Sequence, residues 1–229
     1  MPSWNIHTAH AERLLQEDGA AALGIRDVDA FLLGNILPDI YVGYMVPDIT
    51  RKIEYQETHF ADPNFVPEPD YGAFIEGYAN PDVDGRVSDL VLGCWAHLVA
   101  DHDYNKHVNL FISAHGIEPC TETRVKKQAD FDLFGKTLRI SMAPHITSSV
   151  LDQCASFTQY ELVEEDLLKS QAAMERIIEE NASHHIEGTP DYQMLGSDFF
   201  ATTYDKVTEH IRRGLLAYAA GDPTWGVES

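Results

Sequence analysis

Cationic side chains are scarce in this chain: 16 Lys and Arg stand against 37 Asp and Glu, for a formal net charge of −21. A surface of that sign repels nucleic-acid backbones and anionic bilayers, because affinity for both comes from Lys and Arg. Long nucleic acids are therefore not expected partners, although the acidic surface draws cations in general. Cysteine is scarce too. Cys94, Cys120 and Cys154 are an odd number without CxxC spacing, which excludes a disulfide framework and a thiolate zinc site. Cys94, inside an apolar run, reads as a small core residue. No apolar stretch reaches the roughly 18 residues that span a bilayer, so no stable membrane insertion is expected. The opening from Met1 to His7 has neither a basic n-region nor an apolar h-region. The expected compartment is the cytoplasm. Alternating strand patterns are few, and there is no repeat or low-complexity tract.

What is present is helical periodicity. Ser3 caps an expected helix from Trp4 to Gln16, with Ile6, Ala9, Leu14 and Leu15 on its apolar face. Asp27 caps a second, from Val28 to Leu37, which Pro38 stops. From Tyr41 to Pro81 the chain is rich in Pro, Gly, Asp and aromatics and has little periodicity, the pattern of a long irregular excursion. Between Asp84 and Ser113 lies the most apolar helix, which should be central to the fold. Further helices are expected over Thr123 to Arg139, Ser148 to Phe157, Glu161 to Asn181 and Ser197 to Ala220. The chain is thus expected to be all-α, with residues 1–229 forming a single multi-helix domain.

The chemistry concentrates in His97-Leu98-Val99-Ala100-Asp101, followed by His107. Four residues apart, His97 and Asp101 put an imidazole and a carboxylate on one helix face, a spacing that suits two ligands of one zinc ion. His107, close to three turns further on, can share that face if the helix continues. Such groups on an apolar helix are costly unless something satisfies them. Mutual hydrogen bonding in the core would do so, and so would a metal. Asp39 follows Pro38 at a helix stop, His59 lies within the irregular excursion, and His7 lies three residues after Trp4 on the first helix. His10 shares that helix, but the spacing from Trp4 favours His7. His102 should point about 100° away from Asp101.

Taken in order, Trp-x-x-His, Leu-Pro-Asp, Thr-His-Phe and His-x-x-x-Asp-x5-His resemble the zinc-dependent phospholipase C family and the related fungal single-strand-specific nucleases. The matching motifs run from Trp4 to His107, just under half of the chain. The resemblance implies a helical fold with a cluster of two or three zinc ions. Asp39, His59, His97 and Asp101 would hold one zinc, Asp101 would bridge to a second held by His7, and His107 would bind a third. It also implies phosphodiester hydrolysis of a phospholipid-like or other small organophosphate, with Asp39 as general base or water-orienting group. Two departures stand out. Trp4 is preceded by three residues, so its backbone nitrogen is an amide and a poor ligand. The family's next His and Glu fall here on Thr121 and Val125, leaving Asp130 and Asp132, with His115 and His145, as other candidates and a dinuclear site as the alternative. No residues match the family's choline-binding aromatics, but Tyr41 and Phe60 flank proposed ligands and could line a substrate pocket, as could Tyr44. The competing expectations are a non-catalytic protein stapled by structural zinc and a plain helical interaction domain.

Overall fold

The computed structural model describes residues 2–227. Among them are ten α-helices and no strand, so the all-α expectation holds. In chain order they are α1 (Trp4–Glu17), α2 (Val28–Gly34), α3 (Leu37–Ile40), α4 (Tyr55–His59), α5 (Tyr71–Tyr78), α6 (Asp89–Ala114), α7 (Thr121–Thr137), α8 (Ser148–Ala155), α9 (Glu164–Ser183) and α10 (Ser197–Ala219). One apolar cluster runs from Trp4 in α1 to Tyr218 in α10.

The central helix is α6. Every residue from Asp89 to Asp101 is buried, so this stretch has no solvent face and needs partners on all sides. Its principal neighbours are α2, α10 and α5. The crossing with α2 is unusually close because glycines meet there. A Cβ on Gly93 would lie 2.1 Å from the carbonyl oxygen of Phe31, and one on Gly34 would lie 2.0 Å from that of Leu90. The backbones touch, which brings the end of α2 against the turn of α6 that carries His97. Gly93→Ala should therefore destabilise the protein by about 2–3 kcal/mol, even though alanine gains roughly 1 kcal/mol in helix propensity. A shift of the urea midpoint measures it, and an unchanged midpoint would show that the crossing tolerates separation.

Two expectations need correcting. Pro38 does not stop a helix but sits in the first turn of α3, where its missing N–H costs nothing. The break falls earlier, at Asn35 and Ile36, and the new short helix redirects Asp39 inward, where the residue is buried. The excursion from Tyr41 to Pro81 is also less irregular than its composition implies, since α4 and α5 lie inside it. Asp70 caps α5 by accepting from Ala73 N at 2.8 Å, one of several Asx signals hidden among turn residues. The coil before α4 is tied down from outside. Asp166 of α9, fully buried, accepts from Thr50 N at 3.0 Å and from the Thr50 hydroxyl. The Tyr41 carbonyl accepts from Ile53 N at 2.9 Å.

Candidate metal centre

Five of the expected ligands converge. His7 comes from α1, Asp39 from α3, His59 from the last position of α4, and His97 and Asp101 from successive turns of α6. His59 Nε2 is 3.6 Å from Asp39 Oδ1, 3.5 Å from Asp101 Oδ2 and 3.2 Å from His97 Nε2. On the other side of Asp101, Oδ1 lies 3.3 Å from His7 Nε2. The rings of His7 and His97 stack with centroids 3.9 Å apart. The donor atoms form two overlapping groups, His7–His97–Asp101 and Asp39–His59–His97, in which His97 is common.

The hydrogen bonds around this cluster set its tautomers. His97 Nδ1 is 2.9 Å from the Asn35 carbonyl, which can only accept, so that nitrogen carries the proton. The Thr58 hydroxyl donates to the Tyr55 carbonyl at 3.3 Å, so at 2.7 Å it accepts from His59 Nδ1. In the neutral rings both Nε2 atoms then bear lone pairs, and these face one another at 3.2 Å. Two lone pairs beside two buried carboxylates form an arrangement that a cation relieves. Further atoms are left wanting: both ring nitrogens of His7 and Oδ1 of Asp101 are buried without a hydrogen bond. The residues present fit one or two divalent ions. The Nδ1 bonds to Asn35 and Thr58 are the outer contacts that hold a ligating imidazole in its tautomer and orientation.

The electrostatics agree. Burial, reinforced by the neighbouring His97, pushes His7 down to about 4, and burial also holds His59 well below the usual imidazole range. These rings are neutral donors at physiological pH, as metal binding requires. Burial opposes ionisation of Asp101, but the contact with His7 and the three surrounding imidazoles outweigh it and keep this carboxyl below its ordinary range. Asp39 goes the other way: burial lifts it to about 6, and the charge of Asp101 adds to the rise. Tyr55 stays a phenol, its pKa raised by burial and then by Asp101 and Asp39, and donates to Asp101 Oδ2 at 3.0 Å.

The remaining expected residues lie elsewhere. At 1.5 Å per residue, His107 stands about 15 Å along α6 from His97, too far to share its ion. Its Nδ1 bonds the Asp103 carbonyl at 2.7 Å. Asp130 is fully buried but already spent: its carboxylate accepts from the backbone N–H of Gln193, Met194 and Leu195 at 2.6, 2.8 and 2.7 Å. Asp132, on the exposed side of α7, accepts from Gln128 at 3.0 Å. Neither of these two, nor His107, joins the donor groups, which among the described residues are the two sets built from His7, Asp39, His59, His97 and Asp101. Tyr41 packs into the core. It is fully buried, and its hydroxyl accepts from Val163 N at 2.9 Å. Phe60, at φ +55, turns the chain sharply after His59, packs against Phe74 and Tyr78, and lines a cavity of about 430 Å³ together with Tyr71 and His102. Tyr44 is exposed, and His10 bonds Thr208 and Tyr104 outside the cluster.

Sequence reasoning missed Asn35, Tyr55 and Thr58. Tyr55 carried a usable signal, since it precedes His59 by four residues and so stacks on it, with centroids 3.8 Å apart. Asn35 acts through its backbone carbonyl and left no trace in its side chain. Replacing His107 or Asp132 by Ala should leave metal content per chain unchanged, as read by elemental analysis. Loss of an ion from either variant would place a ligand where the geometry puts none.

Compared with protein-family models, characterised proteins and solved structures, the chain matches none.

Proposed function

We propose that this protein is a metal-dependent phosphoester hydrolase, with zinc the favoured ion and a small organophosphate diester as substrate. The observation that carries the reading is Asp101. Its two oxygens face different donors, Oδ1 toward His7 and Oδ2 toward His59, the disposition of a carboxylate shared by two ions. Divalent ions held there would activate water and neutralise charge on phosphorus-bound oxygens. The protein's own contribution is to hold and to orient. Asn35 and Thr58 fix the two imidazoles, Tyr55 fixes one oxygen of Asp101, and the surrounding core excludes bulk water. Asp39 is the one ligand with measurable side-chain exposure, 8% against 0–1% for the rest of the cluster, and the most basic carboxylate of the two. It is the group placed to take a proton from an incoming water.

The resemblance between Trp4 and His107 to zinc-dependent phospholipase C supports the same reaction class. The −21 charge favours a small or detached substrate over a polynucleotide or an anionic bilayer. No helix among the described residues is long and apolar enough to cross a membrane, and the proposed compartment is the cytoplasm.

Burial of the ligands favours a second reading, in which the ions staple α1, α3, α4 and α6 together without turnover. The test is a panel of chromogenic phosphodiesters and short-chain phospholipids, run with protein loaded with zinc or manganese. Turnover above the free-metal background supports the hydrolase. Metal-loaded protein that is inert throughout, and in which spectroscopy finds no exchangeable water on the metal, supports the staple.

A further inference from the structure

A second site lies away from the metal centre, where α10 meets the chain's return through Asp222–Val227. A cavity of about 410 Å³ opens there, with Trp95, His210, Arg213, Asp222, Thr224 and Trp225 in its lining. None of the five metal-centre donors lines it. The wall is built rather than incidental. Trp225 is gripped edge-on between Trp95 and Tyr218, at centroid distances of 5.3 and 5.0 Å. Trp95 in turn lies across Gly214, where a Cβ would come within 2.1 Å of the indole.

Two polar groups of this cavity, His210 and Asp222, are anchored but not fully consumed. His210 Nδ1 bonds Asp103 Oδ2 at 2.8 Å, an anchor that sets the ring's orientation and leaves Nε2 for another partner. Asp222 accepts from the backbone N–H and the hydroxyl of Thr224, both at 2.8 Å, through Oδ1 alone. That contact holds its carboxyl below the ordinary range, so it is ionised. It has no cationic partner among the described residues. Arg213 forms no ion pair among them either, whereas its neighbour Arg212 is shared among Glu17, Asp18 and Glu209. The Arg213 guanidinium is thus left free to meet a carboxylate at the cavity wall.

We propose that this cavity binds a small zwitterion of the amino-acid type, its carboxylate on Arg213, its ammonium on Asp222 and an aromatic or aliphatic side chain against Trp225. A guanidinium presents a planar fork that matches a carboxylate. Trp225 supplies apolar area at low entropy cost. The choice of a zwitterion over a plain anion follows from charge. The pocket offers one group of each sign, and a net-neutral ligand escapes the repulsion that a −21 chain exerts on an anion.

The experiment is calorimetric titration of the protein as purified with L-phenylalanine, and in parallel with 3-phenylpropionate and 2-phenylethylamine, which each carry one of its two charges. Phenylalanine should bind saturably and shift the His210 imidazole signals in NMR spectra, and each single-charge analogue should bind about tenfold more weakly or worse. Arg213→Gln and Asp222→Asn, both at exposed positions and the second keeping the Oδ1 acceptor for Thr224, should each weaken phenylalanine by about tenfold. Absence of saturation at concentrations on the order of 10 mM overturns the proposal. So does binding that survives Arg213→Gln, which would assign the amino acid to the metal centre, and so does an analogue that binds as well as phenylalanine.

Discussion

Stripping the metal should lower the melting temperature by roughly 10 °C or more. A ligand present at a thousand times its Kd contributes about 4 kcal/mol, and for a domain of this size each kcal/mol is worth a few degrees. The expectation rests on what the bare cluster contains: two carboxylates, Asp39 and Asp101, and three imidazoles, with at most 8% side-chain exposure for any of them. Without cations the facing Nε2 atoms of His59 and His97 find no donor, and Oδ1 of Asp101 has only the His7 ring at 3.3 Å, with no hydrogen bond completed. His97→Ala should reproduce the effect genetically, because His97 belongs to both donor groups and its loss opens a cavity in the core of α6. The measurement is differential scanning calorimetry on native, chelated and zinc-restored protein. Melting that does not change after metal loss has been confirmed would mean that the groups satisfy one another and that no metal stabilises the fold.

Replacing Asp39 by Asn should leave most of the metal in place and remove about 100-fold or more of any phosphodiesterase activity. Asparagine keeps the shape and one oxygen ligand but has no charge and no useful basicity, and positioned acid–base groups typically contribute that much. Asp39 is the residue for this test because its environment differs from that of its partner. The imidazoles pull Asp101 toward ionisation, while burial leaves Asp39 near 6, close to the working pH of a general base. The indole N–H of Trp4 lies beside Asp39 without completing a hydrogen bond to it. Elemental analysis and the diester assay on the same preparation separate the two roles. If Asp39→Asn keeps both metal and full activity, Asp39 is a bystander to the chemistry. If it loses metal in proportion to activity, its role is ligation alone.

How much of this was legible beforehand follows from the range of each interaction. Helix boundaries for α6, α7, α8 and α10 fell within a few residues of expectation, α6 excepted at its start, because periodicity and caps are local. Within the segment expected to hold it, α6 begins after Ser88, which caps it by accepting from Val91 N. The HxxxD pair on α6 was equally local: four residues on a helix share a face whatever else the chain does. Residues 41–81 misled because turn-rich composition also suits short capped helices, and α4 is held in place by contacts with residues more than 100 positions away.

Composition and periodicity by themselves determined an all-helical chain without a membrane-crossing helix, and the motif order that carries the resemblance named the five residues whose donor atoms meet. Tertiary structure alone decided which candidates meet. The rise of α6 carries His107 away from His97, the backbone N–H groups of residues 193–195 claim Asp130, and a Gly–Gly crossing brings the Asn35 carbonyl to His97. The physical reason is that spacing along one helix fixes only the angle and rise between two side chains. The partner that consumes a carboxylate or orients an imidazole arrives from another element, and its position depends on how closely the backbones pack.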